Sequence, residues 1–149
     1  MTQNADADFV ASRSLTGEGA MKILHAAIAY AKSIDTRVTI SVCDASGVVI
    51  AMMRMTGASF LTIDTSLNKA ATAASGGKPT GAALDPVAIK LGLASYGKYA
   101  GGLKGGVPII VDGFVIGAVG AGGATGEQDR DISLEGIKAI AGAKTDFVF

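Results

Sequence analysis

The chain of 149 residues has no tryptophan, one histidine and one cysteine, and these shortages narrow its chemistry. A single cysteine, Cys43, excludes an internal disulfide, and its apolar, alternating surroundings predict a buried and inert thiol. One histidine, His25, is too few for a conventional zinc site, which needs several histidine or cysteine ligands. Because His25 falls in a predicted helix and no G-x-S-x-G motif is present, a serine–histidine–aspartate triad is unsupported.

Charge is also scarce. The 13 basic and 13 acidic side chains balance, and charged residues make up 17% of the chain, compared with about 25% in typical proteins. Without a lysine- or arginine-rich run, nucleic-acid binding is disfavoured. No apolar run is long enough to cross a membrane and the first residues lack the pattern of a signal peptide, so we expect a cytoplasmic protein. So little charge on a chain that is 49% hydrophobic favours a homo-oligomer.

Periodic patterns predict a polar tail at 1–13 followed by a single domain at 14–149. Apolar residues at three- and four-residue spacing predict helices over about 15–35, 57–77 and 127–142. Period-two alternation predicts one hairpin from strands near 38–44 and 48–55, and a second around the turn Asp112-Gly113. Between them, 78–106 reads as loops and short helical turns. Helices grouped against an antiparallel sheet make an α+β fold.

The second predicted helix has two unlike faces. Its apolar stripe is predicted to face the core and contains Phe60, Ile63, Leu67, Ala70 and Ala74. The other face carries hydroxyl groups and a single charge, and consists of Thr62, Thr65, Ser66, Lys69 and Thr72. Because a helix exposed to water usually carries more charge, we expect this face to meet a pocket or another subunit.

The stretch "GAVGAGGATGEQD" at 117–129 is rich in glycine. Its spacing does not fit a dinucleotide fingerprint, it follows a hairpin strand, and no nucleotide-binding P-loop motif occurs in the chain. Two interpretations remain open. The glycines could let the last helix pack closely on the sheet, or their N–H groups could bind an anion, with "AGGLKGG" at 100–106 and its Lys104 as the facing wall.

Three segments, "VTISVCDASGVVIAMMRMTGA", "NKAATAA" and "GGVPIIVDGFVIGAVGAGGATGEQD", resemble the GlcG/HbpS-type haem-binding domain. The same domain is similar to the C-terminal half of the PduO corrinoid adenosyltransferase. The resemblance runs from about residue 14 to 142. It implies a PAS/profilin-like fold with a five-stranded antiparallel sheet, and dimers that build octamers. Gly122 departs from the family pattern, which often has serine there.

The resemblance also implies site residues. His25 corresponds to a histidine that can bind haem iron in relatives, although an ordinary helix-flank histidine is the alternative. Arg54 and Lys69 match family motifs and would bind carboxylates together with the backbone of Gly120, Gly122 and Gly123. Alternatively, Arg54, expected to be buried among methionines, forms a structural ion pair with Asp44, Asp64 or Asp129. Tyr96 and Tyr99 are further candidates to cap a pocket or act as acids.

The sequence therefore predicts an oligomeric haem- or tetrapyrrole-binding protein, with His25 as the candidate iron ligand. The competing hypothesis is a lyase or isomerase that acts on a carboxylated catabolite, with Lys69 or a tyrosine as acid or base. A third is an assembly module without a ligand.

Overall fold

The computed structural model describes residues 7–149, so the first six residues of the predicted tail lie outside it. Within that range the chain forms four helices and four strands. In chain order they are α1 (Gly17–Ser33), β1 (Thr39–Asp44), β2 (Val49–Arg54), α2 (Leu61–Gly76), α3 (Asp85–Ala94), β3 (Gly106–Val111), β4 (Phe114–Gly122) and α4 (Gly126–Ile137). The strands form one antiparallel sheet in the order β2-β1-β4-β3. The predicted α+β class is confirmed.

Both predicted hairpins are present, and local turn chemistry explains them. The Asp44 carboxylate accepts hydrogen bonds from the N–H groups of Ser46 (2.8 Å) and Val48 (3.1 Å), which closes the β1–β2 turn. In the β3–β4 turn, Asp112 has φ 50° and Gly113 has φ 79°. Two consecutive positive φ angles are what a type I′ turn requires.

The helix ends follow from capping. The Thr16 hydroxyl accepts from the N–H of Gly19 at the start of α1, and α2 ends at Gly77 with φ 65°. At the start of α4, Thr125 and Gln128 form a reciprocal capping box, which satisfies two backbone donors that the helix leaves free.

The main apolar core lies between one face of the sheet and helices α1 and α4. Val38, Ile40 and Val42 face it as predicted. The core also contains Ile23, Leu24, Ala27, Val107, Ile109, Val119, Ile132 and Ile137. Helix α2 covers the opposite face of the sheet, so the domain has three layers with the sheet in the middle.

The predicted orientation of α2 is wrong at its N-terminal half, whereas Ala70 and Ala74 are buried as predicted. Phe60 and Leu61 are exposed, whereas Thr62, Ser66 and Lys69 are buried against the sheet. The Thr62 hydroxyl lies 2.7 Å from that of Thr39, and the Ser66 hydroxyl lies 2.7 Å from that of Ser41. Because each hydroxyl on the inner face of α2 has a partner on β1, this polar face can be buried.

The expected fifth strand is also absent from the part of the chain that the structure describes. After α4 the chain makes only an isolated bridge between Ala143 and Val111, at the end of β3. Beyond it, Phe147 packs on the core and the Arg130 guanidinium lies 4.4 Å from the ring centre of Phe149. The C-terminal residues thus pack beside α4 and the core, and no ladder with β3 forms in the described part of the chain.

Helix α3 lies within 78–106, the segment for which we predict loops and short helical turns. No α3 residue is buried, although most of its residues are apolar. None of the helices within residues 7–149 has both the length and the apolar character needed to cross a membrane.

Candidate functional site

The glycine-rich end of β4 lets a helix backbone lie directly on the sheet. A Cβ at Gly120 would collide with the carbonyl oxygen of Ser66 and would lie 2.7 Å from the backbone nitrogen of Ala70. Both of these residues belong to α2. The prediction that the glycines allow the last helix to pack closely on the sheet is therefore wrong, because the helix in closest contact with Gly120 is α2.

Gly122 is the position where the family resemblance implies a serine in relatives. A Cβ there would lie 2.6 Å from the hydroxyl oxygen of Thr65. A side chain at residue 122 would therefore have to displace the Thr65 hydroxyl on α2.

Lys69 is the buried cation of this region and is only 5% exposed. Its Nζ donates to the carbonyl oxygen of Ala121 at 2.9 Å and to Oδ2 of Asp129 at 3.1 Å. Oδ1 of Asp129 accepts from the N–H of Ala124 at 3.0 Å. Burial raises the pKa of Asp129, and the nearby Lys69 ammonium opposes that rise. The pair ties α2, β4 and α4 together below the surface.

The sheet pairing and the Asp129 carboxylate leave few backbone N–H groups of the glycine stretch free to bind an anion. Gly120 and Gly122 pair with Ser41 and Thr39 in the sheet, and the Asp129 carboxylate takes the N–H of Ala124 that follows them. Asp129 thus acts as an internal anion beside Lys69. Ligand contacts by Lys69, Gly120, Gly122 and Gly123 remain predictions, and all except Gly123 are buried.

Lys104, expected to supply charge at the same place, instead forms an exposed ion pair with Glu127 at 2.6 Å. The hydrogen bond from Lys104, together with the positive charge of that side chain, lowers the pKa of Glu127. The segment 100–106 does face the glycine stretch, because Gly106 pairs with Gly120 and the N–H of Ala121 donates to the carbonyl oxygen of Gly105. Lys104 is paired with Glu127 of the same stretch, and anion binding by this lysine remains a prediction.

Arg54 is exposed at the end of β2, so the expectation of a buried guanidinium is wrong. Its Nη1 donates to the carbonyl oxygen of Ala58 at 2.7 Å. Across residues 7–149 it forms no ion pair with an aspartate. Of the methionines around it, Met55 is buried while Met53 is exposed.

His25 is exposed on α1. Because α1 packs on the Ile40 face of the sheet and α2 on the Ser41 face, His25 lies across the sheet from Lys69. The predicted site residues therefore do not converge in one chain. Cys43 meets its prediction, because it is fully buried and burial raises the pKa of its thiol to about 11.

A cavity of about 740 Å³ lies on the outer side of α2. Its floor is formed by Leu67, Ala71 and Ser75 of the helix. The β1–β2 turn closes one side at Val49, and the segment after α2 closes another at Pro79. This volume falls in the usual range of small-molecule sites, about 300–1,000 Å³.

A loop at 95–101 forms the remaining wall of this cavity and is fastened to α2. The Asn68 amide donates to the carbonyl oxygen of Gly97 at 3.0 Å, and the Thr72 hydroxyl accepts from the N–H of Ala100 at 3.0 Å. Tyr99 in this loop lines the cavity, and its phenol oxygen lies against the backbone of Gly101. The other tyrosine of the loop, Tyr96, is 94% exposed.

Two lysines that the sequence reasoning missed, Lys78 and Lys98, also line the cavity. Both lie in glycine-containing loops, "GGKPTG" and "SYGKYAGG". A lysine in such a loop is the only signal that the sequence offered. Nothing in the local pattern shows that segments about twenty residues apart meet over α2.

Comparisons with known proteins agree with this fold. A family model described as "Haem degrading protein HbpS-like" matches residues 15–138. The chain is 38% identical over 123 residues to a Citrobacter freundii 15.0 kDa protein of the dhaT-dhaS intergenic region, which covers 78% of this chain and 85% of that protein.

Two solved structures are similar over almost their whole length. Klebsiella pneumoniae ORFY, of the family DUF336, superposes with a TM-score of 0.83 at 30% identity, covering 89% of this chain and 94% of that one. The complex of PduOC with haem gives a TM-score of 0.80 at 28% identity, covering 89% of this chain and 98% of that one.

Proposed function

The chain belongs to the HbpS-like family, and from that premise we propose that it is an oligomeric protein that binds haem or a related tetrapyrrole in the cavity on the outer side of α2. The observation that carries this proposal is the cavity itself. Its volume of about 740 Å³ and its apolar floor of Leu67 and Ala71 suit a large apolar ligand. PduOC, a structural neighbour, has been solved with haem bound.

The residues present fit the group in two respects. Val49, Leu67, Ala71 and Pro79 offer apolar surface to the macrocycle, and Tyr99 offers a phenol oxygen from the wall. Tyrosine is one of the side chains that bind haem iron in proteins, as is histidine. Haem would supply a redox-active iron, whereas the chain would enclose the ring and exclude water from it.

His25 remains the predicted iron ligand, but it lies across the sheet from this cavity in the same chain. An imidazole on α1 can therefore reach a haem in the cavity only from a second copy of the protein. Tyr99 needs no second copy, because it lines the cavity of its own chain.

A haem titration followed in the Soret region tests the proposal. We expect saturable binding, and a shifted Soret band in Tyr99→Phe if the phenol oxygen binds the iron. A shift in His25→Ala that disappears when the protein is diluted to its monomer would instead assign the iron to a neighbouring α1. Absence of saturable haem binding in the wild-type protein would contradict the proposal.

Self-association is the second part of the proposal, and α3 carries it. Leu84, Leu93 and Tyr96 are each more than three-quarters exposed at or beside this helix. A soluble monomer rarely leaves such large apolar groups together in water. We therefore propose that α3 and its flanking residues contact another copy of the chain.

The position of Lys69 weakens the competing hypothesis that the protein is an enzyme. Lys69 donates to Asp129 and Ala121 inside the protein and does not line the cavity. An amine with its donors engaged and its surface covered is a poor acid, base or Schiff-base nucleophile. We therefore favour ligand binding over lyase or isomerase chemistry at this lysine.

A further inference from the structure

We infer that the cavity on the outer side of α2 recognises carboxylate groups of its ligand through Lys78 and Lys98. The inference rests on the proposed function, because it names the chemical group by which the same cavity selects a ligand. The class of ligand is an apolar body that carries one or more carboxylates. A porphyrin with propionate side chains is one member of this class, and smaller aromatic acids are others.

The two lysines come from separate walls of the cavity. Lys78 follows the end of α2 at Gly77, and Lys98 lies in the loop at 95–101. Their ammonium groups are therefore carried by two segments that meet only through the fold. A ligand between the walls can contact both of them.

Neither lysine has an acidic partner in the described part of the chain. Every ion pair found there involves other cations, and the described residues that line the cavity include no aspartate or glutamate. The nearest acidic side chain in sequence to the β1–β2 wall, Asp44, is bound to the N–H groups of its own turn. The charge of the cavity is thus of one sign, and a cleft of one sign concentrates ligands of the other.

Three of the other polar side chains of the cavity, those of Asn68, Thr72 and Thr80, are already engaged in holding it together. Asn68 donates to Gly97, Thr72 accepts from Ala100, and the Thr80 hydroxyl accepts from the N–H of Gly106 at 2.9 Å. These groups shape the walls and have fewer bonds left for a ligand. The lysines are the charged groups that remain for recognition.

A ligand that covers the cavity also withdraws the ammonium groups from water. A charge that loses water is stable only when an opposite charge or a hydrogen-bond acceptor replaces it. A carboxylate does both, and an ester of the same shape supplies no charge. Esterification is therefore the change of ligand that isolates this recognition from apolar contact with Leu67 and Ala71.

The experiment compares protoporphyrin IX with its dimethyl ester, with binding followed by porphyrin fluorescence at a fixed low concentration of dimethyl sulfoxide. The variants are Lys78→Gln, Lys98→Gln and the double variant. Lys138→Gln is the matched control, because Lys138 is an exposed lysine at the end of α4 that neither lines the cavity nor belongs to α3. Circular dichroism verifies that each variant is folded.

We expect the double variant to bind protoporphyrin about tenfold more weakly than the wild type, whereas Lys138→Gln leaves affinity unchanged. Wild-type affinity for the acid should fall as salt rises, and the double variant should lose most of that dependence. The ester should bind the wild type and the double variant equally. Equal affinity of the wild type and the double variant for the acid would overturn the inference.

The same measurements separate the inference from the proposed function. Saturable haem binding with no effect of the lysine substitutions or of esterification supports the function and overturns the inference. Failure of haem and protoporphyrin to bind, together with lysine-dependent binding of 2-naphthoate, overturns the function and supports the inference. If none of these ligands binds, both are overturned.

Discussion

Lys69 on α2 and Asp129 on α4 form an ion pair of 3.1 Å in the interior of the domain, where both side chains are almost fully buried. Removing one partner leaves the other as an uncompensated buried charge. We therefore expect Lys69→Met or Asp129→Leu to lower the free energy of unfolding by about 3–5 kcal/mol. Urea denaturation followed by circular dichroism measures the change.

The double variant Lys69→Met/Asp129→Leu should lose much less stability than the two single changes added together, because it leaves no isolated charge. Lys104→Met is the control, since the Lys104–Glu127 pair joins nearby segments at the exposed surface. Additive losses in the double variant would show that the two side chains act independently.

Close packing of α2 on β4 leads to the second prediction. Gly120→Ala puts a methyl group 2.7 Å from the backbone nitrogen of Ala70, and backbone atoms cannot rotate away as a side chain can. We expect a loss of about 1–3 kcal/mol in unfolding free energy. Gly17→Ala is the control, because a Cβ there meets nothing within 4 Å. Equal stabilities of the two variants would contradict the close approach of α2.

The contrast between the hairpins and α2 shows how far the sequence carries the prediction. The Asp112-Gly113 turn is specified by two adjacent residues whose φ angles are both positive, so a local pattern predicts it. The inner face of α2 is specified by hydroxyl pairs such as Ser66 with Ser41, which lie 25 residues apart. Local amphipathicity therefore incorrectly predicts that Thr62 and Ser66 face away from the core, because their hydroxyl groups have partners that only the folded sheet provides.

The cavity follows the same rule. Lys78 and Lys98 line it because the chain between them passes through α3 and returns to α2. The family resemblance predicts the sheet and the helices around it, and the HbpS-like match supports that part. It gives no position for the two loop lysines, since the loop that carries Lys98 is held by side-chain hydrogen bonds from α2.

Exposed apolar residues on α3 lead to the third prediction. Leu93 is 76% exposed in this helix, and a glutamate at its position would put a charge into any contact that α3 makes. We expect Leu93→Glu to lower the mass of the assembly in sedimentation velocity at a fixed protein concentration. Val148→Glu, at a residue that is 96% exposed near the C-terminus, should leave the mass unchanged. A wild-type protein that sediments as a monomer at every concentration would refute self-association.

The hydrogen bond between Thr72 and Ala100 leads to the fourth prediction. The Thr72 hydroxyl accepts from the N–H of Ala100 at 3.0 Å and holds the loop at 95–101 against α2. Valine has nearly the same shape but no hydroxyl, so Thr72→Val removes the acceptor with little change in packing. Such a bond is worth about 0.5–1.5 kcal/mol. We therefore expect the Ala100 amide to exchange its hydrogen about threefold to tenfold faster in the variant.

Hydrogen exchange measured by nuclear magnetic resonance reports the exchange rate of the Ala100 amide individually, and the amides of β3 serve as an internal reference. The control is Ser75→Ala, one turn further along α2, where the hydroxyl also lines the cavity. If the loop is a wall of the ligand site, Thr72→Val should also weaken protoporphyrin binding, because the segment that carries Lys98 is then held to α2 by Asn68 alone. Faster exchange with unchanged porphyrin affinity would mean that the ligand does not use this wall.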